Sequence, residues 1–215
     1  MRKTKIVCTV GPATDNDDIL REMMLSGMNV ARFNFSHGDY AVHEKRYNQL
    51  CRIRDELKLP IAALLDTKGP EIRLGKFADS TPVTLNDGDS FVLTTEDRIC
   101  DKEIACISFK GLPGDVRKGT VILINDGAVE LRVESVKGGE IYTTVVHGGE
   151  ISDNKGINVP GVELSMPYLS ERDMNDLEFG AKIGFDFIAA SFVRCAADVA
   201  YLKKFTKSLG WASPR

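Results

Sequence analysis

Three features of this 215-residue sequence predict a β/α fold, a parallel sheet or barrel, interrupted by an inserted antiparallel β-domain. Short apolar runs alternate with amphipathic helical segments before residue 70 and again after residue 167. Between those points the helical pattern gives way to short alternating runs separated by glycine turns. Polar side chains also gather directly after the apolar runs, at the strand ends where β/α folds keep their chemistry.

Lys5-Ile6-Val7-Cys8-Thr9-Val10 is a short, mostly apolar strand of the kind buried on both faces, and Gly11-Pro12 ends it. A helix follows, capped by Thr14 or Asp15. Asp17 and Asp18 suit its positive end, and Ile19, Leu20, Met23 and Met24 form an apolar stripe that closes at Gly27. The next stretch, Asn29 to Gly38, alternates with a period of two: Ala31, Phe33 and Phe35 share one face, Arg32, Asn34 and Ser36 the other. A guanidinium, an amide and a hydroxyl in a row inside a protein need partners, because burying each of them unpaired costs about 1–3 kcal/mol or more. Something anionic, and a cation with it, belongs beside that face.

A strand with one wet face would show the same alternation, so the neighbouring elements decide. Asp39 caps a second helix with Tyr47, Leu50, Ile53 or Arg54, and Leu57 at helical spacing, stopped by Leu59-Pro60. Ile61 to Leu65 is a third buried strand, and it runs directly into Asp66-Thr67-Lys68-Gly69-Pro70-Glu71-Ile72-Arg73. Two successive strands carrying polar clusters at the same end point to a site rather than to a solvated face.

The inserted domain carries the runs Val83–Leu85, Ser90–Leu93, Val121–Ile124, Val129–Val133 and Ile141–Val146. Its turns are Asn86-Asp87-Gly88, Asn125-Asp126-Gly127, Lys137-Gly138-Gly139 and His147-Gly148-Gly149. Because it breaks the series between a strand and its expected helix, it suits a lid over the strand ends. The division this predicts is 1–69, 70–167 and 168–215. The β/α rhythm resumes at Ser170, a cap with Asp173 three residues on, and the helix runs through Met174, Leu177 and Ala181. Phe185 to Phe192 is a fourth buried strand, and Val199, Leu202, Phe205 and Leu209 mark a last helix closing at Gly210.

With 43% hydrophobic residues the chain can bury a substantial core as one large domain or two modest ones. Its net charge of −3 and the lack of any Lys/Arg run argue against a nucleic-acid partner. The five cysteines are odd in number and never spaced Cys-x-x-Cys, which speaks against a disulfide framework or a zinc site and for a reducing cytoplasm. Met1 to Lys5 is basic, but the apolar stretch behind it is too short for a secretion signal, and no later run is long enough to span a membrane.

The motifs themselves carry a resemblance. Lys5–Thr14, Asn29–Gly38, Leu65–Arg73, Asn154-Lys155-Gly156-Ile157-Asn158-Val159-Pro160-Gly161 and Phe187-Ile188-Ala189-Ala190-Ser191-Phe192 occur in the order found in the pyruvate kinase family, and most resemble its bacterial members. The resemblance implies a TIM-barrel A domain interrupted by a β-rich B domain that closes over the active site. It implies phosphoryl transfer from phosphoenolpyruvate to ADP, giving pyruvate and ATP, with Mg²⁺ and K⁺ as cofactors. Position by position, Arg32 matches the arginine that contacts substrate phosphate, while Asn34, Ser36, Asp66 and Thr67 match potassium ligands. Arg73 and Lys155 match residues that hold nucleotide phosphates, and His37 lies in the same nucleotide-facing motif. Asp126 is a turn residue first, and His43 and His147 match no role.

Only four β/α units are present where a TIM barrel has eight. The family's Lys-Ile-Glu strand, with its catalytic lysine and magnesium-binding glutamate, and its second magnesium carboxylate fall beyond residue 215. Among the residues present the resemblance therefore assigns no catalytic residue and no Mg²⁺ ligand, and it implies no useful turnover from this chain alone. The family is homotetrameric, but its C-terminal domain is not in this sequence; two open sheet edges would instead favour self-association. For the tail Trp211 to Arg215 two readings stay open, a natural end or an abnormal one from a shifted or interrupted reading frame. Two other readings stay open, a non-catalytic nucleotide- and potassium-binding fragment and one half of a split enzyme completed by another chain.

Overall fold

The computed structural model describes residues 3–211. The expectations for Met1 and Arg2 and for the tail 212–215 fall outside those residues. The chain divides into two compact units, one running to Pro70 and resuming at Tyr168, the other Glu71–Pro167.

The first unit begins with β1 (Val7–Thr9), α1 (Asp17–Leu25), β2 (Val30–Asn34), α2 (Tyr40–Leu57) and β3 (Ala62–Asp66). Asn16, not Thr14 or Asp15, caps α1, its Oδ1 accepting from the amides of Asp18 and Ile19. The expected caps are otherwise engaged. Thr14 Oγ1 closes a 3₁₀ turn onto Gly11, and the Asp15 carboxylate accepts from the Arg46 guanidinium at 2.6 and 2.9 Å. Asp39 does cap α2, accepting from the amide of Val42, and the helix ends at Lys58 in a left-handed conformation.

The second unit holds β4 (Ile72–Arg73), β5 (Val83–Leu85), β6 (Ser90–Thr94), β7 (Ile104–Cys106), the single turn α3 (Leu112–Asp115), β8 (Val121–Ile124), β9 (Val129–Lys137), β10 (Glu140–His147), β11 (Gly149–Ile151) and β12 (Gly156–Asn158). Seven of these strands form one sheet in the order β4-β12-β8-β9-β10-β6-β7, and β11 pairs with β5 apart from it. Pairing is antiparallel except between β6 and β7, which run parallel. The expected runs are strands; β4, β7, β11 and β12, of two or three residues each, were not among them. All five cysteines, each among the described residues, are free thiols. Burial in this unit's core pushes the Cys100 thiol up to about 11, so it stays protonated and inert.

The chain then returns with α4 (Glu171–Ile183), β13 (Phe187–Ala189) and α5 (Ala196–Ser208). The first unit's sheet is all parallel, in the order β1-β2-β3-β13. β1 was expected to be buried on both faces, but it is an edge strand of this sheet and Val7 is 52% exposed. The core lies where the alternation of β2 puts it. Ala31, Phe33 and Phe35 are buried, and Phe33 meets Phe185 edge-on at 5.0 Å. Each such phenylalanine contributes about 1.5–3 kcal/mol by leaving water.

Two polar side chains lock this core. Asp173 is fully buried, and its Oδ2 accepts from the amide and hydroxyl of Ser170 at 3.1 and 2.6 Å, which completes the expected capping box. Its Oδ1 accepts from the Gly69 amide at 2.9 Å, tying the loop after β3 to the start of α4. His43, also buried, stacks on Phe35 with ring centroids 4.2 Å apart, and its Nε2 donates to the His37 carbonyl at 2.9 Å.

Removing the Asp173 carboxylate strips a cap and orphans the Gly69 amide. Asp173→Ala should lower unfolding free energy by about 2–4 kcal/mol in urea titrations, and an unchanged midpoint would show that the tether carries nothing. Burial holds the His43 pKa below its ordinary value. Below a pH of about 6.5 an unfolded chain therefore takes up a proton here that the folded chain refuses. Stability should fall as pH drops from there through the folded pKa, and the slope should be shallower in His43→Gln. Equal slopes for the two proteins in chemical denaturation across pH 5–8 would be the contrary result.

Candidate functional site

The carboxy ends of the four parallel strands collect the polar side chains that the alternation of β2 keeps out of the core. Register places Thr9 beside Arg32, and Asn34 and Ala189 beside Asp66. The Arg32 guanidinium donates from Nε to Asp66 Oδ2 at 2.7 Å and from Nη1 to Thr9 Oγ1 at 2.7 Å, with Nη2 2.5 Å from the same Asp66 oxygen. Asp66 Oδ1 accepts from the Ser191 hydroxyl at 3.1 Å. Three strands and the loop after a fourth thus hold one arginine in one orientation. Its side chain remains 34% exposed while that of Asp66 is 12% exposed, so the fork stays open to solvent and its support does not. A guanidinium has more N–H donors than these partners use, and the spare ones suit the oxygens of a phosphate.

The loops behind the strands are equally constrained. Asn34 Oδ1 accepts from the Ser36 amide at 3.0 Å, turning the chain sharply at the end of β2. Thr67 is buried; its hydroxyl accepts from the Ser191 amide at 3.2 Å and its amide donates to the Ala189 carbonyl at 3.1 Å. Gly69 sits at φ +70°, and a Cβ there would stand 2.8 Å from the Ser191 carbonyl, so only glycine brings the loop this close to β13. His37 is exposed, with its carbonyl held by His43.

Of the residues assigned by resemblance, the first unit brings together Arg32, Asn34, Ser36, Asp66 and Thr67, with His37 next in the same loop. Arg73 and Lys155 belong to the second unit, on the neighbouring strands β4 and β12, where Gly156 pairs with Arg73 and the Leu74 amide donates to the Lys155 carbonyl at 2.9 Å. Arg73 donates to the Asn154 carbonyl at 2.6 Å and to Glu71 Oε2 at 2.7 Å; the Glu71 hydrogen bond raises its pKa, so it is a permanent cation. Asp126, with φ +56° in its turn, adds a negative charge near Arg73. The Lys155 ammonium has no hydrogen bond or ion pair among the described residues, which leaves it available to an anion.

The oxygens of Asn34, Ser36, Asp66 and Thr67 are hard donors with a single carboxylate among them, a set that fits a monovalent cation such as K⁺. A single carboxylate does not balance a divalent ion such as Mg²⁺, and no cluster of three or more His, Cys, Asp or Glu occurs among the described residues. Thr9, Ser191, Asp173 and His43 also support the site: Thr9 and Ser191 lie within the motifs Lys5–Thr14 and Phe187–Phe192, and Asp173 is the capping-box partner of Ser170, but that Thr9 meets Arg32, Ser191 meets Asp66 and Asp173 meets Gly69 is decided by distant segments.

Comparison with known proteins identifies the family. Residues 1–212 match the model for the pyruvate kinase barrel domain. The chain is 43% identical over 211 residues to a pyruvate kinase of Clostridium perfringens, an alignment covering 98% of this chain and 44% of that protein. To the pyruvate kinase of Geobacillus stearothermophilus it is 42% identical over 209 residues, covering 96% and 35%. A crystal structure of a pyruvate kinase from Cryptosporidium parvum superposes with a TM-score of 0.87 at 34% identity, over 95% of this chain and 42% of that one. The chain thus spans less than half the length of these relatives. No helix among the described residues is long and apolar enough to cross a membrane. The barrel-domain match, the shared sequence and the superposition together establish that the chain belongs to the pyruvate kinase family.

Proposed function

We propose that this chain serves phosphoryl transfer from phosphoenolpyruvate to ADP, the pyruvate kinase reaction of glycolysis, in the cytoplasm. The observation that carries the reading is the Arg32 guanidinium, fixed by Asp66 and Thr9 yet open on one edge. A fixed fork of donors pays its ordering cost during folding rather than on binding, so it favours a phosphate over a mobile lysine would. In this reading Arg32 receives the substrate phosphate. A potassium ion among Asn34, Ser36, Asp66 and Thr67 supplies a positive charge that offsets the phosphate's own. Arg73 and Lys155 hold the nucleotide phosphates, with His37 facing the nucleotide. The Mg²⁺ that phosphoryl transfer of this type uses has no fitting ligand set among the described residues, and no step is assigned to it.

Phosphoenolpyruvate titrated into the purified protein in KCl should bind saturably and more weakly in tetramethylammonium chloride. Arg32→Lys keeps the charge but loses the fork, and it should weaken binding by about 1.5–3 kcal/mol, roughly tenfold to a hundredfold, in isothermal titration calorimetry. Lys155→Ala should leave phosphoenolpyruvate binding unchanged and weaken that of ADP. Equal affinity for phosphoenolpyruvate in wild type and Arg32→Lys, or no binding of either ligand, would overturn the reading.

A further inference from the structure

The second unit holds a pair of thiols that phosphoryl transfer leaves unused. Cys100 and Cys106 stand with their sulfurs 3.7 Å apart in that unit's core, and both are free. A local turn brings them together. Asp101 Oδ1 accepts from the amides of Glu103 and Ile104 at 2.8 and 3.0 Å, and the Asp101 amide donates to the Ile104 carbonyl at 3.0 Å. The turn folds β7 back onto the residue before it, so a separation of six residues becomes a side-chain contact.

Further contacts keep the two sulfurs facing each other. The Cys106 amide donates to Cys100 Sγ at 3.3 Å, while the Cys106 thiol donates to the Arg98 carbonyl at 3.3 Å. Gly75 lies against both, its amide donating to the Cys106 carbonyl at 2.9 Å. A Cβ at residue 75 would stand 2.2 Å from Cys106 Sγ and 3.2 Å from Cys100 Sγ, so the sulfurs take the room a side chain there would need. In a disulfide the sulfurs are about 2 Å apart, and partial turns about the Cα–Cβ bonds cover the difference.

The two thiols differ in access. Cys100 is fully buried, and burial keeps it protonated, so by itself it meets no oxidant. Cys106 is 8% exposed, and the pair's contact with solvent runs through it. A buried cysteine ordinarily serves as a small apolar side chain; a second thiol in contact with it adds a reaction.

We propose that Cys100 and Cys106 are an oxidisable dithiol that a hydroperoxide converts into a disulfide within the second unit. Peroxide first transfers one oxygen to Cys106: the O–O bond breaks, an S–O bond forms, and the thiol proton leaves in the water released. Cys100 Sγ then attacks the Cys106 sulfur. The S–S bond forms as the S–O bond breaks, and the departing hydroxide takes the Cys100 proton to become a second water. The sulfurs lose two electrons and the peroxide gains them. A thiol reductant restores the pair by exchange. The inference stands on the contact between the sulfurs and does not depend on the phosphoryl-transfer reading.

Trypsin cuts after Arg98, Lys102 and Lys110, so Cys100 and Cys106 fall on two peptides that only a disulfide joins. The reduced, folded protein is treated with hydrogen peroxide, its remaining thiols are blocked with N-ethylmaleimide at the moment of denaturation, and the digest is read by mass spectrometry. The expected result is the joined pair, two hydrogens lighter than its separate peptides and absent after dithiothreitol. In Cys100→Ser the same treatment should leave Cys106 as a sulfenic acid that dimedone labels, and in Cys106→Ser the Cys100 thiol should stay reduced. The wild-type digest carries the test if either variant fails to fold. Oxidation of the exposed Cys195 with both core thiols still open to maleimide would overturn the proposal, as would a joined pair that forms only in urea-unfolded protein.

Discussion

An arginine drawn onto a parallel strand beside a nearly buried aspartate constrains everything around it, and the Arg32–Asp66 pair is the interaction on which the strand-end architecture of the first unit depends. Asp66 is tolerated in that position because Arg32 and Ser191 satisfy its two oxygens. Arg32 is held because Thr9 and Asp66 flank it on either side. Removing either charge would strand the other in a partly dry place. The sheet order β1-β2-β3-β13 is therefore not merely a hydrophobic arrangement: it is the order that sets these four side chains side by side.

The loops after the strands inherit this constraint. Asp173 draws the Gly69 amide onto the start of α4, and the close approach of Gly69 to Ser191 sets the distance between the ends of β3 and β13. His43 does the corresponding work after β2, stacking on Phe35 below and holding the His37 carbonyl above. Buried polar side chains so placed lower the freedom of loops that would otherwise be mobile, at the cost of requiring every hydrogen bond to be made. Asp176 Oδ2 and His43 Nδ1 are buried among the described residues without a hydrogen bond.

Much of this was legible in the chain. The period-two alternation of Asn29–Gly38 assigned Ala31, Phe33 and Phe35 to the core and Arg32, Asn34 and Ser36 to the opposite face, and the burial of the three apolar residues follows that pattern. The Ser170/Asp173 spacing announced its capping box. Alternating runs between glycine turns located five strands of the second unit, while β4, β7, β11, β12 and the turn α3, and the parallel pairing of β7 with β6, did not show in the sequence. The cap of α1 was misassigned because Thr14 and Asp15 are as competent chemically as Asn16; a turn onto Gly11 and an ion pair with Arg46, 31 residues away, decided which was free to cap. The apolar composition of Lys5–Val10 suits a strand buried on both faces, but composition cannot say which strand lies at an edge, and β1 does.

By itself the sequence determined the alternation of strands and helices, the loss of the helical pattern in the middle of the chain, the apolar and polar faces of β2 and the motifs that mark the family, because all of these are local patterns a few residues long. Tertiary structure alone decided that Arg32 meets Asp66, that Ser191, 125 residues farther on, completes it, and that the Tyr40 hydroxyl meets Asp176 across a separation of 136. The physical reason is that a side chain's partner is chosen by strand order and helix packing, which bring distant segments within hydrogen-bonding reach, and no period in a linear chain records which segments those will be.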